Sequence, residues 1–342
     1  MSERERIEQL IGEVAQRFAD RRRQHFDVKV LSAGHDRVAL GGEVLEPENL
    51  DMLREAIQSR YPAMSVSDSE IRVLRSGAKL HFVATNLTDL HKGPSFLEEM
   101  LTQVTYGAAV NVLTEQDRWC LVEQAGYLGW AYKPYLAEAP PPQATHIVAG
   151  TVLPVFRGLD ASTPPVTRLL GGTRVTIIET MAPWAHVDFA GGKIPHGWVN
   201  ASELRPIESL PFNLADARRQ MISDARRLTG VCYLWGGGSA FGVDCSGLAQ
   251  LVHRLSGYEI PRDADMQFDA GQPVERDFRP GDLLFFSGEH NRRKISHVGI
   301  STGGWKMIHS SRFHNGVYED DVQTRPHLRD TFAGARTFLN KD

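Results

Sequence analysis

The sequence predicts a multidomain α+β chain: a small N-terminal α+β unit, two short-stranded β-barrels in tandem, and a larger C-terminal α+β region. Three observations carry this. A helical apolar period near the N-terminus gives way to alternating stretches, one order of short strands occurs twice, and the last third opens on a helix and ends in alternating strands. At 342 residues, 42% of them hydrophobic, the chain is long enough for several cores.

Residues 2–23 read as a helix, because Ile7, Leu10, Ile11, Val14 and Phe18 recur at three- and four-residue spacing among charged residues. Phe26 to Val30 alternates, Val38-Ala-Leu precedes Gly41 and Gly42, Leu50 to Tyr61 is helical, and Ser69 to Leu74 alternates again. This predicts a domain over residues 1–77, whose Val-Ala-Leu-Gly-Gly-Glu-Val stretch resembles the BON modules of bacterial envelope proteins. From residue 78 to 138 the pattern turns to short strands at His81, Val110, Trp119 and Gly129, separated by turn residues. The order Gly107-Ala-Ala-Val-Asn-Val-Leu, Arg118-Trp-Cys-Leu-Val-Glu, Gly126-Tyr-Leu-Gly-Trp resembles bacterial SH3-like domains, with Gly129-Trp130-Ala131 as the closing element. After the stiff Glu138-Ala-Pro-Pro-Pro-Gln linker the same order returns over 144–206, in Thr151 to Phe156, Gly172 to Ile178, Trp184 to Asp188 and Gly197-Trp198-Val199. The fourth domain, 211–342, begins with a helix from Ala215 to Leu228.

Charge separates few partners. The formal net charge is -4 with interspersed signs, which offers no basic field for nucleic acid and no polybasic patch for anionic lipid. The first residues are charged, without the apolar run of a secretory signal, and no stretch approaches the roughly 18 apolar residues of a spanning helix. The expectation is a cytoplasmic protein with no membrane insertion. Three cysteines, Cys120, Cys232 and Cys245, are an odd count without regular spacing, which argues against a disulfide framework.

Cys245 stands where a Gly-rich loop, Tyr233-Leu-Trp-Gly-Gly-Gly-Ser-Ala-Phe-Gly-Val-Asp, meets an apolar helical period in Leu248, Leu251, Val252 and Leu255. A thiol at a helix N-terminus is expected to have a lowered pKa and to lie beside amides that can bind an oxyanion. Amide attack also needs a base that later protonates the leaving amine; His297 on one predicted strand and His309, twelve residues on, supply a base and an orienting partner. A zinc site of Cys245, His297, His309 and His314 has suitable ligand types but no close Cys or His pair of the structural kind. Asp244, Ser246 and Asp263 also suit helix caps, and Tyr127 suits a barrel core.

Taken in order, Asp244-Cys245-Ser246-Gly247-Leu248, Ile260-Pro-Arg-Asp, Arg279-Pro-Gly-Asp-Leu-Leu-Phe-Phe, Ser296-His297-Val-Gly-Ile and Met307-Ile-His309-Ser-Ser resemble the NlpC-type cell-wall cysteine peptidases. With the SH3-like order ahead of them, the likeness extends over roughly residues 80–342 to the γ-D-glutamyl-L-diamino acid dipeptidyl-peptidases of murein-peptide recycling. That resemblance implies a papain-like catalytic domain, no metal or other cofactor, and a small murein peptide as substrate. It also implies Cys245 as nucleophile, His297 as base, His309 as its partner and Tyr233 as oxyanion donor. Trp235 would form a wall, Asp244, Ser246 and Ser296 would lie at the substrate, with the two serines near the D-glutamate carboxylate. Asp263 would take the free L-Ala amine, and Tyr127 would cap the groove. The chain departs from the pattern at Leu101, where that branch carries an acid before Thr102-Gln103; Glu98 or Glu99 are the substitutes at hand. Two rival readings follow from the same residues: an exported lytic endopeptidase on intact peptidoglycan, and a non-enzymatic peptidoglycan-binding protein.

Overall fold

The structure, a computed structural model, describes residues 2–189, 192–288 and 294–339. Its first segment runs α1 (Glu3–Ala15), β1 (Phe26–Ala33), β2 (Arg37–Val44), α2 (Pro47–Arg60) and β3 (Ser65–Val73). Seven strands follow: β4 (Lys79–Val83), β5 (Leu87–His91), β6 (Met100–Thr105), β7 (Ala109–Gln116), β8 (Trp119–Gln124), β9 (Tyr127–Tyr132) and β10 (Leu136–Ala137). Seven more come next: β11 (His146–Val148), β12 (Val152–Val155), β13 (Thr167–Leu170), β14 (Arg174–Met181), β15 (Trp184–Asp188), β16 (Gly197–Asn200) and β17 (Leu204–Pro206). The last region holds α3 (Leu214–Arg227), β18 (Gly238–Ser239), β19 (Gly242–Val243), α4 (Cys245–Leu255), α5 (Ala264–Ala270), β20 (Gln272–Val274), β21 (Leu283–Ser287), β22 (Ile295–Gly303), β23 (Lys306–Ser311), β24 (Gly316–Asp321), α6 (Pro326–Arg329) and β25 (Phe332–Thr337).

These elements form two compact units. The first takes residues 1–81, 93–95 and 109–133. In it β2 pairs antiparallel with β1 and parallel with β3, and the buried faces of α1 and α2 close the core through Ile7, Leu10, Ile11, Val14, Leu53 and Ile57. The expected helix over 2–23 ends early, at Ala15. Phe18 stacks on Phe26 at 5.2 Å between ring centres, and the Asp20 carboxylate accepts the Arg22 amide, so the chain turns where the apolar period alone would continue. The same unit holds the meander β7–β8–β9; Ala125 and Gly126, both at positive φ, make the two-residue turn that puts Tyr127 opposite Gln124.

The second unit takes residues 82–92, 96–108 and 134–342. The segment expected as one barrel over 78–138 therefore contributes strands to both units: β7–β9 to the first, the β5–β6 hairpin and β10 to the second. Strands β11–β17 form a five-stranded sheet in the order β16-β15-β14-β11-β17 plus the β12–β13 hairpin, around Val148, Leu153, Val155, Leu169, Val187 and Val199.

The last region is built on a six-stranded antiparallel sheet in the order β20-β25-β21-β22-β23-β24. Strand alternation divides its side chains between two cores. Leu283, Phe285, Val298, Ile300, Ile308 and Val317 pack with α3 and α4, whereas Leu284, Phe286 and Met307 pack with Phe278, Val322 and Leu328. Helix α4 fits there because Leu248, Ala249, Leu251, Val252 and Leu255 make one face apolar. Among the described residues, no helix is long and apolar enough to cross a membrane.

Candidate active site

Cys245 is the first residue of α4 and is buried. The turn before it is held by the Asp244 carboxylate, which accepts the amides of Gly247 at 2.7 Å and Gly236 at 2.9 Å. Two glycines are needed for this closeness. A side chain on Gly247 would meet the Gly237 carbonyl at 2.1 Å, and Gly236, at φ +75°, lies against the Met100 carbonyl, 2.5 Å from where a Cβ would stand. Beneath the turn, the buried Arg262 donates to both Asp244 oxygens, at 3.0 and 2.8 Å, to Ser246 Oγ at 2.9 Å and to Thr102 Oγ1 at 2.8 Å.

The expectation of a lowered thiol pKa is corrected by the site. Burial and the Asp244 carboxylate push the Cys245 thiol up to about 12, against the pull of the Val298 and Ser246 amides and of Arg262. Removing water from the thiolate outweighs what the first helical turn returns. Burial likewise lowers His297 well below the ordinary histidine range, helped by His309 and His327. Both shifts favour the neutral forms, thiol and imidazole.

Three neighbouring strands build the partner set. His297 lies on β22 beside the bulge that makes Ser296 the extra, exposed residue, because Phe286 faces His297 while Ser287 faces Ile295. The β22–β23 register pairs Ile300 with Ile308, and Met307 on β23 faces Asp320 on β24, so His297, His309 and Asp320 run diagonally over one sheet face. His297 Nε2 is 2.7 Å from His309 Nδ1, and His309 Nε2 is 3.1 Å from Asp320 Oδ2. His314 Nε2 reaches the same Asp320 oxygen at 2.8 Å, and Arg325 donates to Oδ1 at 2.8 Å. Burial would raise the Asp320 pKa, but hydrogen bonds from His309, His314 and Arg325 hold it well below the usual carboxylate range.

This chain assigns the protons. An ionised carboxylate only accepts, so His309 carries its proton on Nε2 and offers Nδ1 as an acceptor. With His309 in its neutral form, His297 carries its own on Nε2, which leaves its Nδ1 as the free base. His309, His314 and Asp320 also bring three potential metal-ligand atoms within 4.8 Å of one another. Only the two histidines belong to the zinc set weighed from the sequence, and the Arg325 guanidinium on the second Asp320 oxygen opposes a cation there.

Tyr233 is half-buried, its backbone bridged to Val243. Burial raises its phenol pKa, the neighbouring Cys245 adds to this, and a hydrogen bond from Arg312 opposes it. Trp235 is 52% exposed, and its indole donates to Glu99 Oε1 at 2.9 Å. Glu99 precedes β6, in which Leu101 is half-buried, Thr102 meets Arg262, and Gln103 accepts from the Gly238 amide and Ser239 hydroxyl at 3.2 Å. Glu98 is exposed, and its carbonyl meets the His91 ring.

Both Asp244 oxygens hold backbone and Arg262, and the buried Ser246 hydroxyl accepts from Arg262. Asp263 is half-buried at the start of α5 with Oδ1 3.9 Å from Arg262. Tyr127 is buried at the start of β9, in the first unit. The sequence reading assigned no role to Asp320, Arg325, Arg262 or Arg312.

A family model described as NlpC/P60 matches residues 230–336, and one described as a bacterial SH3 domain matches 85–137. The γ-D-glutamyl-L-lysine dipeptidyl-peptidase of Bacillus subtilis is 32% identical over 223 residues, covering 62% of this chain and 72% of that one. The chain belongs to the NlpC/P60 family. It is accordingly a peptidase, with the NlpC/P60 domain at its C-terminal end and a bacterial SH3 domain ahead of it. A Bacillus cereus protein of the same name is 31% identical over 153 residues, and the match covers 43% of this chain and 45% of that one. The crystal structure of an NlpC/P60 family protein from Bacillus cereus shares the fold, at a TM-score of 0.64 and 21% identity, over 77% of this chain and all of that one.

Proposed function

We propose that this NlpC/P60 peptidase hydrolyses the amide between γ-D-glutamate and the diamino acid of short murein peptides with a free N-terminal L-alanine, releasing L-Ala-D-Glu. The observation that carries the substrate reading is the Glu99 carboxylate on the Trp235 indole, in the loop that leads to the thiol. It puts a carboxylate two residues before Leu101, its second oxygen 3.5 Å from the exposed Lys92 Nζ, where a free ammonium can share or replace the lysine and an acylated nitrogen cannot.

In this reading Cys245 gives its proton to Nδ1 of His297 as the sulfur attacks the γ-carbonyl carbon. The oxyanion meets the Tyr233 hydroxyl and the first-turn amide of Cys245, which helix geometry leaves without an intrahelical acceptor. His297 then passes the proton to the departing amine, and water, deprotonated by the same Nδ1, releases the dipeptide from the thioester. His309 orients His297, Asp263 joins Glu99 at the amine, and Ser296 and Trp235 border the peptide. Asp244 and Ser246 act by positioning Cys245 rather than by touching substrate. Strands β11–β17 are read as a second SH3-like domain and residues 1–77 as a BON-like one, and the setting as cytoplasmic recycling of murein peptides.

The test compares L-Ala-γ-D-Glu-L-Lys, its diaminopimelate counterpart, their N-acetylated forms and intact peptidoglycan by mass spectrometry, with Cys245→Ala as control and Glu99→Gln as the specificity variant. Cleavage of the free peptides alone is expected, with Glu99→Gln raising KM on the order of tenfold, the loss of one charge-assisted contact. Equal cleavage of acetylated peptide or sacculus would sink the free-amine reading and make the enzyme a lytic endopeptidase.

A further inference from the structure

Arg312 lies just past β23, exposed, with its guanidinium carbon 5.6 Å from the Tyr233 ring centre and 5.4 Å from that of Trp235. Its charge there opposes the rise that burial gives the Tyr233 phenol pKa. Trp235 therefore carries opposite charges on two sides, the Glu99 carboxylate at its indole N–H and the Arg312 guanidinium over its face. Tyr233, in turn, is close enough to Cys245 for the thiol to help raise its phenol pKa. Arg312 thus spans the indole that Glu99 holds and the phenol that the thiol influences.

We infer that Arg312 reads the free α-carboxylate of the D-glutamyl residue and so discriminates against peptides in which that carboxylate is an amide. The inference rests on the γ-D-glutamyl specificity proposed above. In L-Ala-γ-D-Glu the ammonium comes first, the α-carboxylate sits on the D-glutamyl Cα, and two methylenes separate that carbon from the scissile carbonyl. The anionic group thus lies between the amine and the reacting carbon, as Arg312 spans the Trp235 ring that Glu99 holds and the Tyr233 ring proposed at the oxyanion. A guanidinium suits this task, since its planar fork matches a carboxylate while its face stacks on the two aromatic rings. The Ser246 hydroxyl, expected at this carboxylate, is instead buried against Arg262.

The experiment measures kcat and KM for L-Ala-γ-D-Glu-L-Lys and for the same peptide with the D-glutamyl α-carboxylate amidated, using the full chain and the variants Arg312→Gln and Arg312→Lys. The wild type is expected to prefer the acid by about ten- to a hundredfold in kcat/KM, the range of a hydrogen bond to a charged group, expressed mainly in KM. Arg312→Gln should abolish the preference, bringing the acid and the amide to within about twofold of each other, and Arg312→Lys should keep part of it. Equal wild-type rates on acid and amide, or a preference that survives Arg312→Gln, would overturn the inference and leave the peptidase reading standing. Cleavage of neither peptide would overturn both.

Discussion

Replacing Asp320 with Asn removes one charge at the far end of the relay and leaves every ligand to the substrate in place. The two hydrogen bonds, 2.7 and 3.1 Å, and the width of one imidazole set the carboxylate about 8 Å from His297 Nε2. At an effective dielectric of about 20 it favours the imidazolium formed during proton transfer by roughly 2 kcal/mol, or about 30-fold in rate. That is the smaller of two effects. An asparagine amide can donate to His309 Nε2, which reverses both tautomers and places a proton on the His297 nitrogen that must accept one. In serine triads such a reversal costs on the order of 10⁴ in kcat. Asp320→Asn should therefore lower kcat between about 30-fold and 10⁴-fold, with KM little changed. Without the carboxylate the imidazolium is less stable, so the acid limb of kcat/KM should also move to lower pH, which a merely loosened fold would not produce. The assay is initial-rate hydrolysis of the free tripeptide over pH 4 to 8, with a thermal melt to register the lost ties to His314 and Arg325. A kcat within twofold of wild type and an unmoved acid limb would refute the relay.

Because burial pushes the Cys245 thiol up to about 12, its alkylation by iodoacetamide should be slow at pH 7 and rise steadily towards high pH, with no acid-side plateau of the kind a preformed ion pair gives. Peptide mapping must separate it from Cys232, which is exposed. Fast labelling of Cys245 at pH 5 would contradict a neutral resting pair. Arg262→Ala leaves the buried Asp244 carboxylate without its cation and should cost about 3–5 kcal/mol, read as an earlier denaturant transition of the catalytic region; a loss under 1 kcal/mol would show that the pair does not anchor the nucleophile turn.

The residues legible in the sequence were those whose chemistry lies in a linear pattern. Cys245 follows a Gly-rich loop and opens an apolar helical period, and α4 begins at that residue. His297 and His309 each sit in an alternating stretch, and β22 and β23 run through them. What the pattern cannot hold is the environment. The same helix start that suggests a lowered thiol pKa is covered until the thiol is buried, and only the folded packing tells how much water is removed. Contacts across the chain are equally silent: Arg262 meets Thr102 across 160 positions and Trp235 meets Glu99 across 136, so neither pair leaves a local signal.

Asp320 shows why a further part was hidden. It lies in the run Glu319-Asp320-Asp321, which by composition is a solvated acidic surface and not a strand facing a core. The β23–β24 register pairs Asp320 with Met307 and Tyr318 with His309, so Asp320 lies diagonally beside His309 on one face. Burial along β24 does not follow the strand period: Tyr318 and Glu319 are exposed, Asp320 is buried, and Asp321 is only half-buried. A carboxylate buried there needs partners, and His309, His314 and Arg325 are the three that reach it. A shift of register by one residue would turn Asp320 outward and leave His309 without an acceptor. The β23–β24 pairing is thus as much a determinant of the His297 tautomer as the histidines themselves.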